Sequence, residues 1–137
     1  MGAVATFLGL PAADRRLLLR ALATIVRVRV LLRLQPLDRL RMWAQQKRPG
    51  SLPPRQLAWA VRTAARRVPG ATCLVQALAL QRLLSQQGHS SELHIGVARH
   101  DQAFEAHAWL TYRGEILIGA DRHEEFTPLV AWPSNPG

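Results

Sequence analysis

The sequence predicts an α+β fold in a single domain, and three observations lead to it. Between Asp14 and Val68, apolar residues recur at helical spacing in segments broken by proline and glycine. From Leu93 onward the pattern becomes alternation in short runs, divided by turn signals at Asp101-Gln102 and Arg113-Gly114. One long helix-forming stretch, Cys73 to about Gln87, joins the two regimes. Helices first and hairpin-linked strands afterwards describe a helical N-terminal half, then a helix packed on a small antiparallel sheet.

Asp14, after Pro11, is the expected N-cap of a helix reaching Gln35, although Val26–Val30 also alternates like a strand. Pro36 ends it, and Leu37–Gln46 reads as a short helix. Residues 47–54, rich in proline with one glycine, form a break. Pro54 suits a first-turn position, opening a helix to Val68 with Leu57, Ala60, Val61, Ala64 and Ala65 as its apolar side. After Pro69-Gly70, Thr72 is the expected N-cap of the long helix and Gly88 its terminating glycine. Leu93–Arg99, Phe104–Tyr112 and Glu115–Gly119 read as strands, and the tail is expected to pack back on the sheet through Phe126 and Leu129.

Composition narrows the classes. At 137 residues, 48% hydrophobic and 20% charged, the chain can build a core, so a wholly disordered protein is excluded. Residues 1–68 form a basic helical subregion and 69–137 the helix-plus-sheet subregion of the one domain. Of the 18 basic residues, 14 lie in residues 1–67 against only Asp14 and Asp38, a net +12; the remainder carries −3. Seventeen of the 18 are arginine, suited to forked contacts with carboxylates or phosphates. On an unbroken helix Arg16, Arg20 and Arg27 fall within about 40° of one another, as a solvated face or a docking stripe. Leu17–Leu34 is interrupted by four arginines, so no bilayer span is expected, and the apolar start lacks a secretory signal's basic flank. A cytoplasmic protein is the expectation, with membrane-surface association left open.

The single cysteine excludes an internal disulfide. With no His-Glu-x-x-His pattern and no glycine-rich phosphate loop, no metal site and no cofactor is expected. Cys73 falls at the first turn of its helix, where the dipole favours thiolate and free backbone N–H groups can hold an oxyanion. Ala77, Leu80 and Leu84 lie within about 40° of its direction, so the thiol should point inward. Position alone also suits a buried filler. Ala106-His107-Ala108-Trp109 supplies the second element. Alternation puts Glu105, His107, Trp109 and Thr111 on one strand face and Phe104, Ala106, Ala108 and Leu110 on the other. A cysteine helix packed on the His107 face would bring an imidazole to the thiol as general base.

A third group must orient that histidine, and Asp121 leads the candidates. Register sets a condition on it. A two-residue turn at Arg113-Gly114 pairs Tyr112 with Glu115 and leaves Asp121 on the wrong face. Either a bulge near Gly119 or a three-residue turn is therefore predicted; without one, Glu105 or Asp101 would take the role.

Thr72-Cys73-Leu74-Val75-Gln76-Ala77-Leu78-Ala79-Leu80, Leu83-Leu84, Gly88, Leu93-His94-Ile95-Gly96-Val97, Phe104, Ala106-His107-Ala108-Trp109 and Gly114 together resemble the leader peptidases of lasso-peptide biosynthesis. Those belong to a transglutaminase-like branch of the papain-type cysteine proteases. The likeness is strongest over Pro69–Leu129. It implies Cys73 as nucleophile, His107 as general base and then acid, and Asp121 as orienting residue, though Gly-Ala-Asp is not the family's usual setting for it. It also implies the substrate, a ribosomally made precursor peptide cut between leader and core. The implied partners are a separate leader-recognition protein and an ATP-dependent lasso cyclase acting on the freed core. The chain's length suits the stand-alone peptidase of the split system, and no fused recognition domain is expected.

Other readings stay open. The same triad serves transglutaminase-like acyl transfer to an amine, and a basic nucleic-acid-binding module with a buried cysteine explains the arginines alone, without a helix-turn-helix or stacking surface. His94 is expected on the face opposite Leu93, Ile95 and Val97, in a structural or exposed role. His89 and His100 are expected to be solvated at turns, and His123 could rim the site. Trp43 and Trp59 should anchor helices, Trp109 should shield the site or fill the core, and Gln76 has no evident role.

Overall fold

The computed structural model describes residues 2–100, 103–119 and 127–133. Five helices precede four strands: α1 Gly2–Leu8, α2 Ala12–Leu34, α3 Leu37–Ala44, α4 Pro54–Ala65, α5 Cys73–Gln86, β1 Glu92–His100, β2 Ala103–Tyr112, β3 Glu115–Ile118 and β4 Thr127–Pro133. The strands form one sheet in the order β3-β2-β1-β4, with every neighbouring pair antiparallel. The α+β expectation holds. The tail adds a fourth strand against β1; Leu129 lies within it, while Phe126 is outside the described residues.

Helix α2 begins two residues before Asp14, and Pro11 rather than Asp14 occupies the cap position. The Pro11 carbonyl accepts from Arg15 N–H and starts the helical ladder. Asp14 sits in the first turn instead, where its charge complements the dipole and its carboxylate accepts from Gln56 on α4 at 3.2 Å. The Val26–Val30 stretch stays helical: Ala21, Ile25 and Val28 are fully buried at helical spacing, while Val26 and Val30 face solvent. Arg20 and Arg27 do not form a free stripe with exposed Arg16. Arg20 donates to Gln86 of α5 at 2.7 Å, and the Arg27 guanidinium lies 4.9 Å from the Trp43 ring centroid.

Helix α5 is the centre of the molecule. Every residue from Ala77 to Ser85 is buried, and the helix touches α2, α3, α4, β1 and β2. A helix apolar on nearly all sides must sit inside a core. Alanines 58, 60, 64 and 65 on α4 leave room for close approach. Trp43 anchors α3, as expected: Arg82 of α5 lies 4.6 Å from its ring centroid and donates to its carbonyl at 2.8 Å. Burial first, then Arg48, Arg27 and Arg20, hold the Arg82 guanidinium below its ordinary pKa. Gly88, at φ +78°, closes the helix in the left-handed conformation the sequence called for.

His89 is not solvated. It is half-buried, its ring donates from Nε2 to the Leu52 carbonyl at 2.7 Å, and it meets Tyr112 edge-on, fastening the 47–53 segment across α5. The side chain of His100 is outside the described residues. No helix among the described residues is long and apolar enough to cross a membrane.

Gln81 is fully buried on α5, and neither amide atom has a hydrogen-bond partner among the described residues. Replacing it by the near-isosteric methionine removes that desolvation cost. Gln81→Met is expected to raise unfolding stability by about 1–2 kcal/mol, read from the denaturation midpoint at unchanged m-value.

Candidate active site

Thr72 caps α5 as the sequence predicts, its hydroxyl accepting from Val75 N–H at 3.4 Å. The preceding turn is closed by Gly70 at φ +80°, with the Arg29 guanidinium so near that a Cβ would come within 2.7 Å of it. Gln76 acquires a role here: its amide donates to the Ala71 carbonyl at 2.9 Å and ties the turn to the helix it precedes. These contacts hold Cys73 at the first helical position, half-buried, as a free thiol. Ala77, Leu80 and Leu84, predicted to share its direction, are fully buried.

The sulfur meets β2. Cys73 Sγ accepts a hydrogen bond from Ala108 N–H at 3.4 Å, so it lies against the peptide that follows His107. The helix does not pack on the His107 face, contrary to expectation. Ala108 and Leu110 join Leu93 and α5 in the main core, whereas Trp109 packs with Ile116 outside it. The reason is polarity. The face with Ala108 and Leu110 is apolar, while the other carries Glu92, His94, Glu105, His107 and Thr111, which a Leu-rich helix cannot cover cheaply. The thiol meets β2 at its backbone, at the helix tip.

His107 is half-buried, and its Nε2 lies 2.8 Å from the Gly119 carbonyl oxygen. A carbonyl only accepts, so Nε2 carries the proton in this bond. In the neutral ring the lone pair then resides on Nδ1, the nitrogen bonded next to the Cβ carbon and so nearer the main chain. Gly119 thus supplies an orienting acceptor that sequence reasoning did not assign, although it had marked that glycine for its backbone.

The predicted bulge exists, two residues earlier than Gly119. Tyr112 pairs with Glu115 and Thr111 with Ile116, but Leu110 pairs with Ile118, which leaves Leu117 as the extra residue. Leu117 and Ile118 are both buried in the main core. The Leu117 carbonyl accepts from Arg62 of α4 at 2.8 Å, so the bulge is stitched to the helical layer. Gly119 follows at φ +86°, and a Cβ there would come within 2.7 Å of both the Ala108 carbonyl oxygen and Trp109 Cβ. Asp121, His123 and Asp101 lie outside the described residues. Glu105 is half-buried and shares the His107 strand face. Among the described residues no three His, Cys, Asp or Glu side chains gather as a metal site.

Residues 13–131 match the Transglutaminase-like superfamily, and the chain belongs to it. That superfamily includes cysteine peptidases and acyltransferases and is generally catalytic, in keeping with a single cysteine at the tip of a buried helix. No curated protein and no solved structure gives a match.

Two glycines with left-handed backbones separate steric need from conformational need. Gly114, at φ +81° in the hairpin turn, has nothing within 4 Å of an added Cβ. Gly114→Ala is expected to cost about 1 kcal/mol, the left-handed penalty alone. Gly119→Ala adds two backbone-level clashes and should cost about 3 kcal/mol or more. Equal denaturation midpoints for the two variants would contradict this close approach.

Proposed function

We propose that the protein is a cysteine peptidase that removes the leader from a ribosomally made lasso-peptide precursor, acting in the cytoplasm. The observation that carries the chemistry is the pairing of two contacts: the Cys73 sulfur against the Ala108 N–H, and Nε2 of the adjacent His107 engaged by the Gly119 carbonyl. Together they leave the histidine lone pair on the ring nitrogen nearer the backbone that the thiol approaches.

In this reading Nδ1 of His107 takes the Cys73 proton, and the thiolate attacks the carbonyl at the leader–core junction. The oxyanion forms at the N-terminus of α5, where the Cys73 N–H is one donor. Imidazolium then protonates the departing core amine, leaving the leader as a thioester on Cys73. Water, deprotonated by His107, hydrolyses that thioester and restores the thiol. Asp121 is the proposed orienting acid. The support is the resemblance, together with the one-residue bulge at Leu117 that this role requires.

The resemblance of the Cys73 and His107 segments to lasso leader peptidases supports the substrate and its partners. The partners are a leader-recognition protein that presents the precursor, and the cyclase that receives the core. Exposed cations of the basic helical half, Arg16 among them, would meet the recognition protein, which supplies the proximity a small catalytic half lacks.

The test is mass spectrometry of a leader-bearing precursor incubated with the recognition protein and this chain. Wild type is expected to yield leader and core whose masses total the precursor plus one water. Cys73→Ala and His107→Ala should each lower the rate by about 10³-fold or more, and Asp121→Asn by less. Equal cleavage by wild type and Cys73→Ala would remove the assignment, and a leader product joined to an added amine would establish acyl transfer instead.

A further inference from the structure

The sheet face that bears His107 carries a second histidine. His94 of β1 lies directly opposite Trp109 of β2, with the two rings stacked 5.4 Å apart between centroids and only 3° from parallel. Its Nε2 is 2.9 Å from Thr111 Oγ1 and 3.3 Å from a Glu92 carboxylate oxygen, so the ring is tethered at its polar edge. Trp109 is 5% exposed. Its Cβ lies against the bare backbone of Gly119, the residue whose carbonyl accepts from His107. The His107 ring stacks on the same indole, 6.0 Å from its centroid at 24°.

We propose that His94 is a positioning residue: through Trp109 it holds the His107 imidazole in the orientation that aims Nδ1 at the Cys73 thiol. The proposal rests on the reading of Cys73 and His107 as nucleophile and base. The Gly119 carbonyl fixes one edge of the His107 ring, and a flat indole beside it sets the plane of the ring, provided the indole is itself fixed. Gly119 bounds Trp109 on the β3 side and His94 bounds it on the β1 side. A plain filler at residue 94 would be apolar. A half-buried imidazole carries a desolvation cost, met here by Thr111 and Glu92, and what it provides in return is a flat face at a defined angle.

The sole cysteine makes the test independent of substrate. Alkylation of Cys73 by iodoacetamide at pH 6, followed by intact mass, reads how well the imidazole activates the thiol. His107→Ala should slow it about 100-fold. His94→Ala, and His94→Val as a strand-forming variant that keeps the sheet, should each slow it about 5- to 10-fold while melting within a few degrees of wild type. His94→Phe restores a flat ring and should recover most of the rate. Wild-type rates for folded His94→Ala or His94→Val, with His107→Ala slow, would overturn this inference alone. So would a His94→Phe as slow as the alanine variant. A wild-type rate for His107→Ala would overturn the nucleophile–base pair and this inference with it.

Discussion

The site depends on how closely the first turn of α5 can approach β2. The sulfur–amide contact at Ala108 exists because a methyl side chain, and nothing larger, stands between the helix tip and the strand. The helix cannot retreat. It is buried along its length by three other helices, and Arg20, Arg48 and Arg82 fasten its C-terminal half to α2, the 47–53 segment and α3. The strand cannot retreat either, since Leu93 and Leu110 lock the sheet onto the same core. A thiol at the end of a rigid helix is thereby delivered to the strand that carries His107.

Packing the helix on the apolar face has a consequence for the histidine. His107 stands on the polar face, and the carbonyl of Gly119, just past β3, takes up its ring Nε2. The bulge at Leu117 is what brings Gly119 into place beside Ala108 and Trp109, and Arg62 holds the bulged carbonyl from the helical side. The helical half therefore acts on the site twice, by placing the cysteine and by pinning the bulge that precedes Gly119. Neither function follows from its net charge. Two of the three arginines that align as a stripe are engaged within the fold, at Gln86 and Trp43.

Elements with local causes were legible in the sequence. Pro36, Pro54, the Thr72 cap, Gly88 and the Arg113-Gly114 turn mark their boundaries because each acts through its own backbone. The need for a bulge was legible from parity, but its position was not, since Leu117 is selected by Arg62, 55 residues earlier. The same limit explains His89 and His94. Their partners Leu52 and Thr111 come from other segments, and periodicity alone cannot bring them together. The packing face of α5 is not legible from β2 alone, because alternation in one strand does not say which face is covered. The polarity of Glu92, His94 and Thr111, summed over two strands, marks the opposite face as the covered one. Superfamily membership points to chemistry of the cysteine-peptidase or acyltransferase kind.

The most direct measurement is nitrogen NMR of the His107 ring in wild type and Cys73→Ala. The bond to the Gly119 carbonyl requires the hydrogen on Nε2 in the neutral ring, and a thiol–imidazole pair predicts an Nδ1 resonance that moves when the sulfur is removed. A hydrogen found on Nδ1, or ring signals indifferent to Cys73→Ala, would show that thiol and imidazole do not act as a pair.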